Sequence, residues 1–164
     1  MNYFENFPTT NYDFGGAPVT LVHILRRFSV NKLVKDNIRV YQDYRIVDGD
    51  TPDTLANQWY GDSNKYWIIL LFNDIVNPFY DWPLIHDNLV QYSLNKYTDI
   101  NAIHHYESIE GYVIDPNFYD GIPAAVSNIE YETRLNDAKR KIRIPQKEHA
   151  IAIAAEAEKI LINT

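Results

Sequence analysis

The sequence predicts an α+β fold: a strand, two short helices and a returning strand, with a further helix and a hairpin added. Three observations predict it. Ile38, Val40, Tyr44, Ile46 and Val47 form a β-branched and aromatic run that stops at the turn Asp48-Gly49-Asp50. Residues 51 to 73 then carry paired start and stop signals for two helices. Last, the stretch after Pro145 places apolar residues at helical spacing.

Taken in order, residues 1 to 18 hold Pro8, Gly15, Gly16 and Pro18 amid Asn and Thr, and read as an irregular arm. Thr20 is placed to cap a short helix over Leu21 to Phe28, with Leu21, Ile24, Leu25 and Phe28 on one face. A second short turn is expected at Asn31 to Asp36. Beyond the strand, Thr51 suits an N-cap, Pro52 the first helical position and Asp53 the positive end of the helix. Leu55, Ala56 and Trp59 line one face of that helix, and Gly61 supplies a left-handed stop. Ser63 or Asn64 caps the next helix, Lys65 to Asn73, which is apolar almost all round and so is buried on several sides.

A third helix is expected from Leu84 to Tyr97, then strands at Ile103 to Tyr106 and Tyr112 to Ile114 joined through Glu110-Gly111. Asp115 to Ala125 reads as a loop. Ile129, Tyr131 and Thr133 alternate ahead of Asn136-Asp137, with Ile142 and Ile144 following: a hairpin, with a helix over Glu130 to Lys141 as the alternative. The C-terminal amphipathic helix runs from Pro145 through Ile162, with Ile153, Ala154, Ala157, Ile160 and Leu161 in one stripe. Its removal is expected to leave a folded body. The implied division is an N-terminal arm with a short helix (1–37), the strand–helix domain with its extension (38–115), and a loop, hairpin and terminal helix (116–164).

Composition narrows function by exclusion. A net charge of -7 is the wrong sign for a protein that neutralises phosphates, so nucleic acid is not expected. The absence of cysteine removes disulfides, thiolate metal sites and a Cys nucleophile. The longest apolar run, Trp67 to Phe72, is far short of the ~20 residues of a membrane span. Met1 to Asp13 lacks the basic start and apolar run of a secretory signal.

Motifs for phosphate binding, zinc proteolysis and serine hydrolysis are missing. His104 and His105, adjacent on a strand, are expected on opposite faces, the wrong geometry for one metal. The numerous carboxylates sit where turns and helix starts want them. No enzyme, metal or cofactor is expected. The 13 Tyr, 7 Phe and 3 Trp suit both core and interface.

The stretch from Tyr44 to Phe79 carries Asp48-Gly49-Asp50-Thr51, Leu55-Ala56, Tyr60-Gly61, Trp67, Ile69, Leu71 and Asn77-Pro78. It resembles the LysM domain, a β-α-α-β module. That likeness implies a glycan groove at Gly49, Asp50, Thr51, Ile75, Val76 and Asn77. The sequence departs from the glycan-binding pattern at Phe79 to Leu84, where a closing strand would normally follow. The second strand is then expected further on, near Ile103.

A longer block runs from Val34-Lys35-Asp36-Asn37 through Asn-Pro-Phe-Tyr-Asp-Trp-Pro to Lys96-Tyr97, with Asn128, Glu130-Tyr131-Glu132, Asn136 and Lys139-Arg140 later. It looks like the LysM-like baseplate wedge proteins of contractile-tailed bacteriophages. The resemblance implies a structural subunit of the virion's tail baseplate, assembled in the bacterial cytoplasm. It would join neighbouring wedge subunits and a sheath-initiator-like protein in a hetero-oligomeric ring. Trp59, Tyr60, Tyr80, Trp82, Ile153, Ile160 and Leu161 are the candidate protein-interface residues. Binding of peptidoglycan or another glycan through the LysM groove is the alternative.

Overall fold

In a computed structural model, residues 7–24 and 28–162 are described. The chain is α+β and divides into two compact units. Unit 1 comprises Met1–Tyr44, Asp50–Phe79 and Ile142–Thr164; unit 2 comprises Arg45–Gly49 and Tyr80–Lys141.

Unit 1 opens with a hairpin, β1 (Thr9–Phe14) and β2 (Ala17–Val22), where an irregular arm and a helix over Leu21 to Phe28 were expected. Leu25, on the expected helix face, lies outside the described residues. The physical reason is the two-residue turn Gly15-Gly16, with φ of 66° and 91°. Both angles are positive, the turn geometry whose twist matches antiparallel strands. Tyr12, Phe14, Val19 and Leu21 then alternate with polar residues, a period of two that outweighs the helical spacing of Leu21 and Ile24.

A single helical turn, α1 (Lys32–Lys35), is capped by Asn31, whose side chain accepts from Leu33 N. Strand β3 (Tyr41–Arg45) leads to α2 (Pro52–Tyr60). There Thr51 Oγ1 accepts from Thr54 N while Thr54 Oγ1 accepts from Thr51 N, and Gly61 closes the helix at φ 72°. A 3₁₀ turn, Ser63–Lys65, precedes α3 (Tyr66–Phe72). Its cap is Asp62, accepting from Asn64 N, rather than Ser63 or Asn64 themselves.

The partner of β3 is β7 (Lys141–Pro145), so the returning strand is not the one near Ile103. The terminal helix α7 (Lys147–Ile162) packs on α2 and α3. Ala150, Ala154, Ala157 and Leu161 are its buried residues, three of them small enough for close helix approach. The core beneath is Leu55, Ala56, Ile68, Ile69 and Ile144, all fully buried. Because α7 closes this core, removing it would not leave an intact body.

Two cross-links tie this core to β7. Tyr60 Oη donates to Pro145 O at 3.1 Å, and burial holds its phenol well above the ordinary range. Asn73, just past α3, donates to Arg143 O and accepts from Arg143 N, both at 2.8 Å. Its amide thereby completes both hydrogen bonds of one strand residue.

Unit 2 contains α5 (His86–Lys96), α6 (Asn128–Ala138) and a three-stranded sheet. The sheet order is β5 (Val113–Ile114), β4 (Ile103–Glu107), β6 (Ala124–Ser127), with both pairings antiparallel. A short turn of helix, α4 (Pro78–Asp81), enters this unit.

Of the two readings of residues 129 to 144, the helical alternative holds: α6 stands where the first arm of the hairpin was expected, while Ile142 and Ile144 lie on β7. Ser127 caps α6, accepting from Glu130 N, and the buried face of the helix is polar: Asn128, Glu132 and Asn136, at i, i+4 and i+8. Each is satisfied. Asn128 Nδ2 donates to Asp99 O, while Asn136 donates to Leu84 O at 2.9 Å and accepts from Leu84 N at 2.7 Å. A helix whose inward stripe is amide and carboxylate carries no apolar period, and the alternation of Ile129, Tyr131 and Thr133 then reads as strand.

Candidate protein interface

Polar side chains of unit 2 form separate hydrogen-bonded clusters on and beside α6. Glu132, buried, accepts from Lys96 Nζ at 2.8 Å and from Tyr97 Oη at 2.7 Å. Burial pushes its carboxyl up, and those two bonds more than offset this, so the net shift is downward. Glu107 is held below the usual carboxylate range by Arg134, at 2.7 Å, and by His105. Asp48 is lowered by Arg140, at 2.6 Å, and by His86 N.

These shifts set a sign for acid stability. The unfolded carboxylates, at ordinary values of 3.8 for Asp and 4.5 for Glu, take up protons before the folded ones do. Their stabilisation is therefore complete above those values and is lost as pH falls through the lower folded pKa values. Urea midpoints should be level from about pH 7 to about pH 5 and drop below about pH 4.5. A midpoint unchanged down to about pH 3 would contradict these clusters.

The two adjacent histidines do not point apart. A register shift between Ile103 and His105 breaks the strand alternation, and the two Nδ1 atoms meet at 2.8 Å. Glu107, beside Arg134, accepts from His105 Nε2 at 2.9 Å; in the neutral form of His105 this makes its Nδ1 the acceptor and His104 Nδ1 the donor. His104 also stacks on Tyr131, ring centroids 3.9 Å apart. The pair is a hydrogen-bonded strut between β4 and α6. Among the described residues, no group of three or more His, Cys, Asp or Glu is placed to hold a metal.

The groove residues inferred from the sequence have local structural partners. Asp50 accepts from Tyr44 Oη at 2.9 Å, Thr51 caps α2, and Asn77 accepts from Phe79 N. Ile75 is half-buried and Val76 exposed. Gly49 sits in a left-handed turn at φ 97°, and it belongs to unit 2 while the other five belong to unit 1.

The candidate interface residues separate by burial. Tyr60, Trp82 and Leu161 are buried, and Trp59 is half-buried with its ring edge-on to Tyr44. Tyr80 is 74% exposed and Ile160 is exposed. Ile153 and Ile160 line a groove of about 450 Å³ together with Val30, Val34, Ala152 and Ala157.

Several further exposed apolar residues lie outside the set of interface residues expected from the sequence. The hairpin shows Tyr12, Phe14, Val19 and Leu21 on one face. Phe79, in unit 1, is 89% exposed, and the loops of unit 2 expose Ile109, Tyr112, Phe118 and Ile122. The Gly-Gly turn flanked by alternating residues is the signal that locates the first of these sets. No comparable signal marks the loops.

Contiguous exposed apolar surface marks sites of protein association, and the hairpin face formed by Tyr12, Phe14, Val19 and Leu21 is such a set. Residues 7–120 match the family described as base plate wedge protein 53. Over 124 residues the chain is 27% identical to baseplate wedge protein gp53 of Enterobacteria phage T4, covering 62% of this chain and 63% of that protein. The match to the family extends over most of the chain and includes residues of both units. The chain belongs to the base plate wedge protein 53 family.

Proposed function

We propose that this chain is a structural subunit of a phage tail baseplate wedge, resident in the virion and joining neighbouring wedge subunits by protein–protein contacts. The observation that carries this is the family match over residues 7–120. The strand–helix–helix–strand order of unit 1 supports a LysM-like scaffold put to structural use. Partner contacts fall on the exposed apolar residues: Tyr80 and Phe79, and the Ile153–Ile160 side of α7. Tyr60, Trp82 and Leu161 are buried and Trp59 is half-buried, so they serve as core residues in this reading. Neighbouring wedge subunits and a sheath-initiator-like protein are the partners in this reading.

Mass spectrometry of purified virions should find the chain in fixed proportion to other tail proteins. Co-sedimentation with peptidoglycan should leave it in the supernatant. Absence from particles together with saturable glycan binding would overturn the structural role in favour of a glycan-binding module.

A further inference from the structure

The β1–β2 hairpin is open on both edges, and its register shows that the edges are not equivalent. His23 N donates to Pro8 O at 2.8 Å, which makes Pro8 and His23 a hydrogen-bonded pair. Antiparallel pairs alternate, so Thr10–Leu21, Tyr12–Val19 and Phe14–Ala17 also bond to each other. The main-chain groups of Thr9, Asn11 and Asp13 on β1, and of Pro18, Thr20 and Val22 on β2, therefore point outward.

On β2 that outer row is blocked. Pro18 has no N–H, and Val22 O already accepts from Ile24 N at 2.9 Å. Exposed strand edges in folded proteins are commonly guarded by proline, lysine or a bulge, and β2 has such a guard. On β1 the outer row is complete. Among the described residues no backbone hydrogen bond reaches Thr9, Asn11 or Asp13 from outside the hairpin, and the strand holds no proline or lysine.

The faces differ as well. Thr20 Oγ1 donates to Asn11 Oδ1, and Asp13 accepts from Gly16 N, so the polar face bonds within itself. The opposite face is bare, with Tyr12 57% and Phe14 75% exposed beside Val19 and Leu21. A lone two-stranded hairpin is marginal in water and gains its stability from a further strand and a covered face.

We infer that β1 receives an extended strand from another protein subunit of the assembly. That strand pairs with Thr9, Asn11 and Asp13 and lays apolar side chains along Tyr12 and Phe14. Main-chain bonds supply the affinity of such strand addition, and the apolar face supplies its selectivity. The inference rests on the wedge reading and goes further by naming the edge and the kind of contact.

The test compares the isolated chain with the chain in purified tail particles by residue-resolved amide exchange. Assembly should slow the amides of Thr9, Asn11 and Asp13 by more than about tenfold, with far less change at Thr10 and Tyr12, already bonded within the hairpin. Two proline variants separate edge from fold. Asn11→Pro and Thr20→Pro each remove an outward N–H and the same Asn11–Thr20 side-chain bond, but on opposite edges.

Incorporation of Thr20→Pro with failure of Asn11→Pro supports the inference. Equal behaviour of the two variants overturns it, as does protection of the isolated chain that rises with concentration, which would make a second copy the occupant. Absence of the wild-type chain from particles overturns the wedge reading as well, which keeps the two failures distinct.

Discussion

Deleting residues 146–164 is expected to unfold unit 1. Helix α7 contributes Ala150, Ala154, Ala157 and Leu161 to the core and packs on both α2 and α3. Full burial of a leucine side chain alone is worth about 1.5–3 kcal/mol. The deletion also uncovers apolar surface on α2 and α3, and domains of this kind hold only about 5–15 kcal/mol in total. Circular dichroism and amide exchange of the truncated chain should show α2 and α3 unprotected while the α5 and α6 amides of unit 2 stay slow. A truncated chain with native protection in α2 would mean that α7 is an appendage. Assembly defects of such a truncation therefore report lost folding before they report a lost contact.

Replacing Asn136 with leucine is expected to destabilise unit 2 by about 2–3 kcal/mol. Leucine is close in size, so packing changes little, but both hydrogen bonds to Leu84 vanish. The carbonyl of Leu84 keeps a longer contact with Arg140 Nη2 at 3.4 Å, so the N–H bears most of the cost. Asparagine at this position acts as one residue's worth of strand for a segment that has no strand beside it. Asn136→Asp restores an acceptor for Leu84 N and no donor for Leu84 O, and should recover part of the loss. Urea denaturation of the two variants beside wild type checks the order; equal stability of Asn136→Leu and wild type would dismiss the clamp.

What the sequence shows of this fold depends on how local each cause is. Helix α2 is legible because its cap, its first-turn proline and its terminal glycine all lie within the residues they organise. Helices α5 and α7 are legible from the spacing of their own apolar residues, and the β4–β5 pairing from the turn at Glu110-Gly111. The β1–β2 hairpin is obscured because Gly15, Gly16 and Pro18 read as breakers of order, while here they form a turn and guard an edge. Helix α6 is obscured because its inward residues are Asn128, Glu132 and Asn136, whose reason to be buried lies in the backbone of Asp99 and Leu84 and in the side chains of Lys96 and Tyr97. The pairing of β3 with β7 has no local cause at all.

Residue type alone also fails to sort the candidate interface. Tyr60 and Tyr80 are the same side chain, one bonded to Pro145 O inside the core and the other open to solvent. Helix α2 buries the first, and α4 projects the second. Similarly, Leu161 and Ile160 are neighbours in one helix that face different ways.

The interrupted layout of unit 1 carries a consequence for biosynthesis. A ribosome delivers β3, α2 and α3 well before β7 and α7, with nearly all of unit 2 translated in between. During that interval Ile68, Ile69 and the edge of β3 have no native cover, whereas the strands and helices of unit 2 complete their own contacts earlier. The nascent chain must therefore hold a sticky, half-made module until its last segment emerges, a state prone to misassociation. Slow folding at low temperature and rescue by co-expressed chaperones are the traits to expect of it.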